Sequence, residues 1–327
     1  FIGLAIALPV AYGTYKLNAN HKPSSLEEHI ESFREVLLKS NPDPKPCEKG
    51  PSRAIQILQL FDLIESFHSF VRDRNAYYMD GNIFGPLTAP LQLSYAELVG
   101  PRDVEWFVSH YWGHTFIHFF ESLRKHAEFV KGPTGWHQVS YWICFCSNNQ
   151  YQIKHELGSS WEESSFFLAL HSGLCTGVCM VLDDLAVPLT RSWCIFELLQ
   201  TLKLERSGTD FMGLMLCTTG GVLNSGQGSV EVAMNLARKV STLDLEHASA
   251  SCEEDKDMIN RQVVKELGSF HAMNSFVREK MLDILMQAQG KTTDIFTNLF
   301  ELMHASIGPK SVGNVDDTDS DAGTPAS

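Results

Sequence analysis

Four short apolar runs occur in the middle of the chain, and each of them ends in polar or small residues. They cover residues 104–108, 140–146, 177–182 and 211–217. The segments between them place apolar side chains at helical spacing, for example at Phe116, Phe119, Phe120 and Leu123. Strands that alternate with helices are typical of βαβ units, and runs without polar alternation are typical of strands buried on both faces. The pattern therefore predicts an α/β domain built on a parallel sheet.

Helical patterns flank this domain on both sides. Before it, Ser24 begins a helix whose first turn carries Glu27 and Glu28, and residues 54–71 repeat apolar side chains at helical spacing. Glycines and prolines predict a connector over residues 79–90. After the domain, further helices are predicted over residues 230–240, 255–267, 273–289 and 293–307.

These patterns divide the chain into an apolar N-terminal segment, a helical N-terminal region, the α/β domain, a helical C-terminal extension and a disordered acidic tail. The segments cover residues 1–22, 23–100, 101–225, 226–307 and 308–327. The apolar run at residues 1–12 is too short to cross a bilayer. It fits either the end of a longer membrane or signal segment or an element docked on the domain, and only the first alternative anchors the protein to a membrane.

Composition and charge narrow the function classes. The apolar content of 44% and the charged content of 20% are typical of a soluble globular protein. The formal net charge of -13, with scattered basic residues, argues against a nucleic-acid partner, because phosphate binding needs a concentrated positive field. Cysteines within apolar runs are typical of free, buried thiols in a reducing compartment, and we therefore predict a cytoplasmic protein; these cysteines are Cys144, Cys146, Cys175, Cys179, Cys194 and Cys217.

Polar side chains follow the strands of the predicted sheet. His110 and Trp112 follow the first apolar run, Asn149 follows the second, and the third is followed by Asp183 and Asp184. In open parallel sheets, ligands bind at the carboxyl ends of the strands. The sequence therefore predicts a ligand site at this edge of the sheet.

The helix after the third strand carries the most distinctive run of the chain. It is predicted over residues 190–204, with Thr190 as its cap. Trp193 and Glu197 lie four positions apart and share one helical face. A single acidic side chain beside a strand-end cleft is suited to contacting a sugar hydroxyl or stabilising a cation. The alternatives are that Glu197 is a solvated surface charge and that Trp193 packs in the core.

The motifs around this helix resemble those of the Toll/interleukin-receptor (TIR) domain. The helix carries W-C-x-x-E-L at residues 193–198, and the first strand ends in V-S-H at residues 108–110. The resemblance is closest to the divergent TIR-like proteins of algae and other protists, in which V-S-H-x-W-G, N-N-Q after the second strand and R-x-W-C-x-x-E-L recur. It covers residues 102–219, about a third of the chain.

The resemblance implies a flavodoxin-like parallel sheet with helices on both faces. Some TIR domains only scaffold signalling by self-association, whereas others cleave NAD between nicotinamide and ribose. In the enzymatic members the glutamate of W-C-x-x-E is the catalytic residue, which corresponds to Glu197. Its carboxylate would stabilise the positive charge that develops on the ribose. NAD is then a substrate, and no prosthetic group is implied.

The resemblance also gives roles to the residues at the strand ends. Trp112 or Tyr111 would stack on a nicotinamide or adenine ring. His110 is either a base or a satisfied structural histidine. The two aspartates either contact the substrate, bind Mg²⁺ or cap their loop. Three residues would hydrogen-bond the ribose hydroxyls: Asn149, Asp183 and Asp184.

One spacing suggests a metal face on a helix. His171, Cys175 and Cys179 recur four positions apart, which on a continuous helix would align three soft-metal ligands. Gly173 and Gly177 interrupt such a helix, and Cys179 falls in a predicted strand. We therefore predict no metal site.

Three functions remain open on the sequence. The chain is a TIR-type NAD glycohydrolase whose site is completed by self-association, a non-catalytic TIR-like module that binds a signalling partner, or a nucleotide-binding regulatory domain without turnover. An enzyme predicts Glu197 in an open cleft beside Trp112 and Asp183. An interaction module predicts Glu197 on a convex surface that faces solvent.

Overall fold

The computed structural model describes residues 24–208, 210–250 and 252–307. The predicted apolar N-terminal segment and the predicted acidic tail lie outside these residues. The chain divides into two units, one ending at Ala288 and one beginning at Gln289. The first of them contains the candidate site.

A six-stranded mixed sheet forms the centre of the first unit. Its strands are β1 (Ile55–Gln56), β2 (Trp106–Ser109), β3 (Ser140–Trp142), β4 (Gly177–Val181), β5 (Leu214–Thr218) and β6 (Gly221–Val222). They lie in the order β1-β3-β2-β4-β5-β6. The four central strands are parallel, whereas the short edge strands β1 and β6 are antiparallel to their neighbours. The predicted α/β class is confirmed, with a sheet that is mixed rather than purely parallel.

Helices precede, connect and follow these strands. They are α1 (Ser25–Ser40), α2 (Ile57–Val71), α3 (Ala76–Met79), α4 (Gly85–Thr88), α5 (Tyr95–Val99), α6 (Phe116–Gly135), α7 (Cys144–Ser147), α8 (Ile153–Leu157), α9 (Ser165–Leu170), α10 (Ser192–Arg206), α11 (Val230–Thr242), α12 (Glu253–Leu267) and α13 (Phe270–Ile307). The predicted start of α1 at Ser24 is confirmed, because Ser24 accepts from the Glu27 N–H. The Glu27 carboxylate in turn accepts from the Ser24 N–H, which completes a capping box.

Helices cover both faces of the sheet, and this explains why its strands are apolar without alternation. Successive strand residues point to opposite faces, so that Trp106 and Val108 belong to one core and Phe107 to the other. Helices α1, α2 and α6 contribute to the first core. Helices α9 to α12, and α13 as far as Ala288, contribute to the second. The N-terminal region and much of the C-terminal extension are therefore packed into the two cores of the sheet.

A cluster of buried charges ties the N-terminal region to the chain after β3. The Arg53 side chain is 5% exposed, and its guanidinium lies 3.1 Å from the Glu97 carboxylate and contacts that of Glu156. The two carboxylates are 0% and 1% exposed. Glu97 also accepts from the backbone N–H groups of Ser94 at 2.7 Å and Cys47 at 2.9 Å. Each charge is therefore compensated, which is the condition under which proteins tolerate buried ions.

The predicted connector at residues 79–90 is wrong. Helix α3 continues through a π-helical turn, Asp80–Phe84, into α4. Apolar side chains decide this, because Ile83 and Leu87 are buried in the core. Pro86 directly follows the π-helical turn, and it has no N–H with which to continue the regular helical hydrogen bonds.

Two further boundaries differ from the prediction. The strand predicted at residues 140–146 ends at Trp142, and α7 follows it. The predicted cap of α10 is wrong, because the N-cap is Arg191 and Thr190 instead donates its hydroxyl to the Val187 carbonyl at 2.7 Å. The first N–H of α10, from Ser192, donates to the Ser249 carbonyl at 3.0 Å. A distant backbone segment therefore replaces the side-chain cap.

The last two predicted helices form a single element, α13, of 38 residues. Gly290 lies inside it, at a cost of about 1 kcal/mol relative to alanine that a long helix tolerates. Beyond Gln289 its apolar side chains are exposed, including Ile295 at 59% and Phe296 at 69%. Within the part of the chain that the structure describes, no helix has both the length and the apolarity required to span a bilayer.

Candidate functional site

An open cleft lies at the carboxyl ends of β2 and β3, against the first two turns of α10. It encloses about 750 Å³ of empty space, part of which is open to solvent. Six aromatic side chains line it: Tyr77, Tyr111, Trp112, Trp142, Phe166 and Trp193. The cleft is therefore shaped and lined for a flat, partly apolar ligand.

Glu197 lies in this cleft on the second turn of α10. The residue is partly exposed, but its Oε2 is buried and has no hydrogen-bond partner among the described residues. Burial raises the pKa of Glu197 to about 8, and the nearby Ser109 hydroxyl offsets only part of that rise. The ligand-free protein therefore holds most of this carboxyl in its protonated form at neutral pH.

Two thiols flank the Glu197 carboxyl. Burial raises the pKa of Cys144 to about 12, and the charge of Glu197 adds to the rise. The pKa of Cys194 is raised well above its usual value by the same two effects. Cys144 Sγ accepts from the Trp112 indole N–H at 3.2 Å. Both thiols are therefore neutral packing groups beneath the cleft and unsuited to act as nucleophiles.

Trp193 both packs and lines the cleft. Its ring lies edge-on to Phe166, with centroids 5.3 Å apart, and is partly buried against the core below α10. Its indole N–H donates to Asp255 Oδ2 at 3.3 Å. The predicted packing role is confirmed, and the contact with Asp255 fixes the face of α10 that carries Glu197.

A cation and a distant segment complete the cleft. The Arg191 guanidinium lies 5.6 Å from the Tyr111 ring centroid and donates to Ser249 Oγ at 3.2 Å. Ser249 and Ala250 line the cleft, and the Ser249 N–H donates to the Thr190 carbonyl at 2.8 Å. The motif R-x-W-C-x-x-E-L already contained Arg191. Nothing in the sequence singled out the segment around Ser249.

His110 lies at the floor of the cleft and is 7% exposed. Burial, followed by the neighbouring His114, lowers its pKa to about 3. Its ring packs against Phe119 and Phe145, with centroids 4.7 and 5.4 Å away. The imidazole is therefore neutral, and its buried Nε2 has no hydrogen-bond partner among the described residues. A histidine with so low a pKa is a weak base, which favours a hydrogen-bonding role over proton abstraction.

Asn149 is engaged in its own loop and does not line the cleft. Its amide donates to the Gln92 carbonyl at 2.9 Å, and its oxygen accepts from the Tyr151 N–H at 2.9 Å. The neighbouring Asn148 lines the cleft instead, and its oxygen accepts from the Ser165 hydroxyl. The structure thus brings an asparagine of N-N-Q to the cleft, one position before the predicted one.

The two aspartates after β4 do not line the cleft either. Asp183 Oδ2 lies 2.9 Å from His114 Nε2, and its Oδ1 accepts from the Val187 N–H at 2.9 Å. Although burial acts to raise it, the pKa of Asp183 is lowered on balance by His114 and by backbone N–H groups. Asp184 is exposed. The Asp183 contacts are those of a residue that caps its loop, which was one of the predicted alternatives.

The spacing of His171, Cys175 and Cys179 does not gather these residues. Cys175 belongs to the core on one face of the sheet and Cys179 to the core on the other. His171 Nε2 lies 3.1 Å from the Gln200 side-chain oxygen, and its ring stacks on Phe167.

No protein-family model matches the chain, and no match was found among the curated proteins or the solved structures. Function is therefore inferred from the chemistry of the cleft and from the motifs at residues 108–112 and 191–198.

Proposed function

We propose that this chain is a TIR-like enzyme that cleaves NAD between nicotinamide and ribose, with Glu197 as its catalytic carboxylate. The single observation that carries the proposal is the buried, partnerless Glu197 Oε2 inside an aromatic cleft at the strand ends. A solvated helix glutamate would instead be exposed on a convex surface. The order of the parallel strands, β3-β2-β4-β5, supports a flavodoxin-like arrangement of the kind that binds nucleotides at this edge.

The chemistry matches the surroundings of Glu197. When the N-glycosidic bond of NAD breaks, its electron pair neutralises the nicotinamide ring and leaves positive charge on the ribose. A carboxylate enclosed in a region of low dielectric stabilises that charge strongly. Water then adds to the ribose carbon, and its proton passes to the carboxylate or to solvent.

The raised pKa of Glu197 suits a cationic substrate. The carboxyl is mostly protonated in the ligand-free protein, since its pKa is about 8. The nicotinamide ring of NAD carries a positive charge, and an opposite charge nearby favours the ionised carboxyl. Substrate binding would therefore release the proton and produce the catalytic form of Glu197 only when NAD is in place.

The remaining cleft residues fit the other parts of a dinucleotide. Tyr77 and Trp112, whose ring centroids are 5.3 Å apart, offer a stacking surface for a base. Arg191 stands at the mouth of the cleft and supplies a cation for the diphosphate. Asn148, which lines the cleft, offers hydrogen bonds to ribose hydroxyls.

The test is release of nicotinamide from NAD by the purified full chain. Glu197→Gln keeps the shape of the side chain and removes its charge, and we expect it to lower kcat by about 10²–10³-fold, as for the loss of one charge-stabilising group. Glu231→Gln, on the exposed surface of α11, is the matched control and should retain full activity. Inactivity of the wild type, even when concentrated or crowded, would overturn the proposal.

Binding without turnover would leave a different function. If calorimetry shows that NAD binds and Arg191→Gln weakens binding, yet no nicotinamide is released, the chain is a nucleotide-binding regulatory domain. If NAD does not bind, a non-catalytic signalling module becomes the better proposal. Sedimentation of the wild type at increasing concentration would then test for self-association.

A further inference from the structure

A second constellation of reactive side chains lies on the other side of the sheet from Glu197. His126 comes from α6, Cys179 from β4 and Cys217 from β5. One nitrogen and two sulfur atoms from these residues lie within 4.8 Å of one another. All three residues are 0% exposed.

The hydrogen bonds around His126 fix which ring nitrogen is free. The Tyr141 hydroxyl donates to the Leu123 carbonyl at 3.3 Å, and its oxygen lies 2.7 Å from His126 Nδ1. We assign the tautomer that is consistent with this donation, in which Nδ1–H donates to the Tyr141 oxygen. In this tautomer Nε2 carries no proton.

His126 Nε2 is buried and accepts from neither of the two thiols. Cys179 donates to Cys217 Sγ at 3.2 Å, and Cys217 donates to the Met215 carbonyl at 3.6 Å. His126 Nε2 has no hydrogen-bond partner among the described residues. Because an unsatisfied buried acceptor is costly, its position beside two sulfur atoms calls for a ligand.

We propose that His126 Nε2, Cys179 Sγ and Cys217 Sγ form a binding site for one Cu(I) ion. Two sulfurs and an imidazole are the soft ligands that this ion prefers. The Nδ1–H bond to Tyr141 is the type of outer contact that orients a metal-binding histidine. Nothing in the proposed NAD cleft is needed for this site.

Coordination number favours Cu(I) over zinc, because either ion can form a neutral complex here, zinc with two thiolates and Cu(I) with one. Binding releases one thiol proton to solvent, so that Cu⁺, one thiolate, one thiol and a neutral imidazole sum to zero charge. A neutral complex avoids most of the cost of burying an ion in this dry core. Zinc requires a fourth ligand. The nearest polar group, the Tyr141 hydroxyl, is already committed to His126 and Leu123.

The geometry needs only a small adjustment. Metal–sulfur bonds of about 2.3 Å place two ligand sulfurs roughly 3.8–4.0 Å apart. The present Sγ–Sγ separation of 3.2 Å must therefore open slightly. The two cysteines lie on adjacent parallel strands and are offset by two positions, since Cys179 pairs with Met215 and Cys217 with Val181.

The experiment is an anaerobic Cu(I) titration of the full chain against a competing Cu(I) chelator. It uses a Cys47→Ser/Cys252→Ser background, because those thiols are partly exposed and would bind copper non-specifically. We expect one equivalent of tightly held Cu(I), and X-ray absorption showing two sulfurs and one nitrogen. Cys179→Ser and His126→Gln should each weaken binding at least about tenfold.

Two matched controls should leave Cu(I) binding unchanged. Cys175→Ser alters a buried thiol of the opposite core, and Cys144→Ser alters the thiol beneath the cleft. The wild-type measurement needs no variant to fold. Absence of tight binding, a site that survives Cys179→Ser, or a Cys179–Cys217 disulfide in place of copper binding would each overturn the proposal. Tighter zinc binding with a fourth light-atom ligand would overturn the choice of metal.

Discussion

The buried carboxyls of this protein differ in whether a cation neutralises them. Glu97 and Glu156 share the Arg53 guanidinium, and Glu97 accepts two backbone N–H groups as well. Glu197 has neither a cation nor a hydrogen-bond donor at its buried Oε2. The first group is closed on itself, whereas the second faces an open cleft.

The difference separates a structural role from a functional one. The charges of the Arg53 cluster are paired with one another, although Glu156 Oε2 and Arg53 Nε have no hydrogen-bond partner among the described residues, and this pairing stabilises one arrangement of the chain. A buried carboxyl left without partners costs folding free energy, and natural proteins accept that cost most often where the group does chemistry. Glu197 is therefore a candidate site residue, whereas the ion pairs of Arg53 with Glu97 and Glu156 have a structural role. We call these ion pairs the Arg53 clamp.

Breaking the clamp should give the largest effect on stability. Arg53→Met removes the cation and leaves Glu97 and Glu156 buried without it, so we expect a loss of about 3–5 kcal/mol in the free energy of unfolding. Urea denaturation of the two proteins measures the difference. Lys45→Met is the control, because its ion pair with Asp43 is fully on the surface and should contribute nothing measurable. A loss no larger than that of the control would remove the contrast between the two groups.

The raised pKa of Glu197 should make the free energy of unfolding depend on pH. Its pKa is raised from 4.5 to about 8, so between these values the unfolded chain releases a proton that the folded chain retains. Stability therefore falls as pH rises through this window, by up to about 1.4 kcal/mol per pH unit relative to Glu197→Gln, which has no such proton. Unfolding free energies of both proteins across the window measure this slope. Parallel curves would show that the carboxyl is not perturbed.

The elements that carry these groups were predictable where the apolar pattern is regular. Strands β2 and β4 and helix α10 lie within two residues of their predicted bounds, because long buried runs leave few alternatives. The face of α10 that carries Glu197 followed from helical spacing alone. The helix through residues 76–88 was missed, because its glycines and proline suggested a loop and its burial against the core is a tertiary effect.

The contacts that complete the cleft could not be predicted from the pattern of apolar and polar residues. Ser249 meets Arg191 across 58 positions, largely through backbone hydrogen bonds that leave no side-chain signature. The choice between Asn148 and Asn149 depends on the turn after α7, and a shift of one residue reverses which amide faces the cleft. Pairing between distant segments, rather than local preference, decides both cases.

A substitution at Arg191 tests whether the cleft that holds Glu197 also binds the diphosphate of NAD. Arg191→Gln removes the cation offered to the diphosphate, and we expect KM for NAD to rise about 10–100-fold, since a hydrogen bond to a charged group contributes about 1.5–3 kcal/mol. The value of kcat should change much less. Steady-state kinetics measure both, with Arg238→Gln on the exposed surface of α11 as the control. A fall in kcat with unchanged KM would contradict a binding role.

Ser109 should give the smallest effect and the sharpest test of the environment of Glu197. Its hydroxyl lowers the pKa of Glu197 against the larger effect of burial. Ser109→Ala should therefore move the rising limb of kcat/KM to higher pH, because this limb reports ionisation of the essential carboxyl in the free enzyme. Activity well above that limb should be nearly unchanged. If the limb moves to lower pH instead, a group other than the Ser109–Glu197 pair controls the ionisation that catalysis requires.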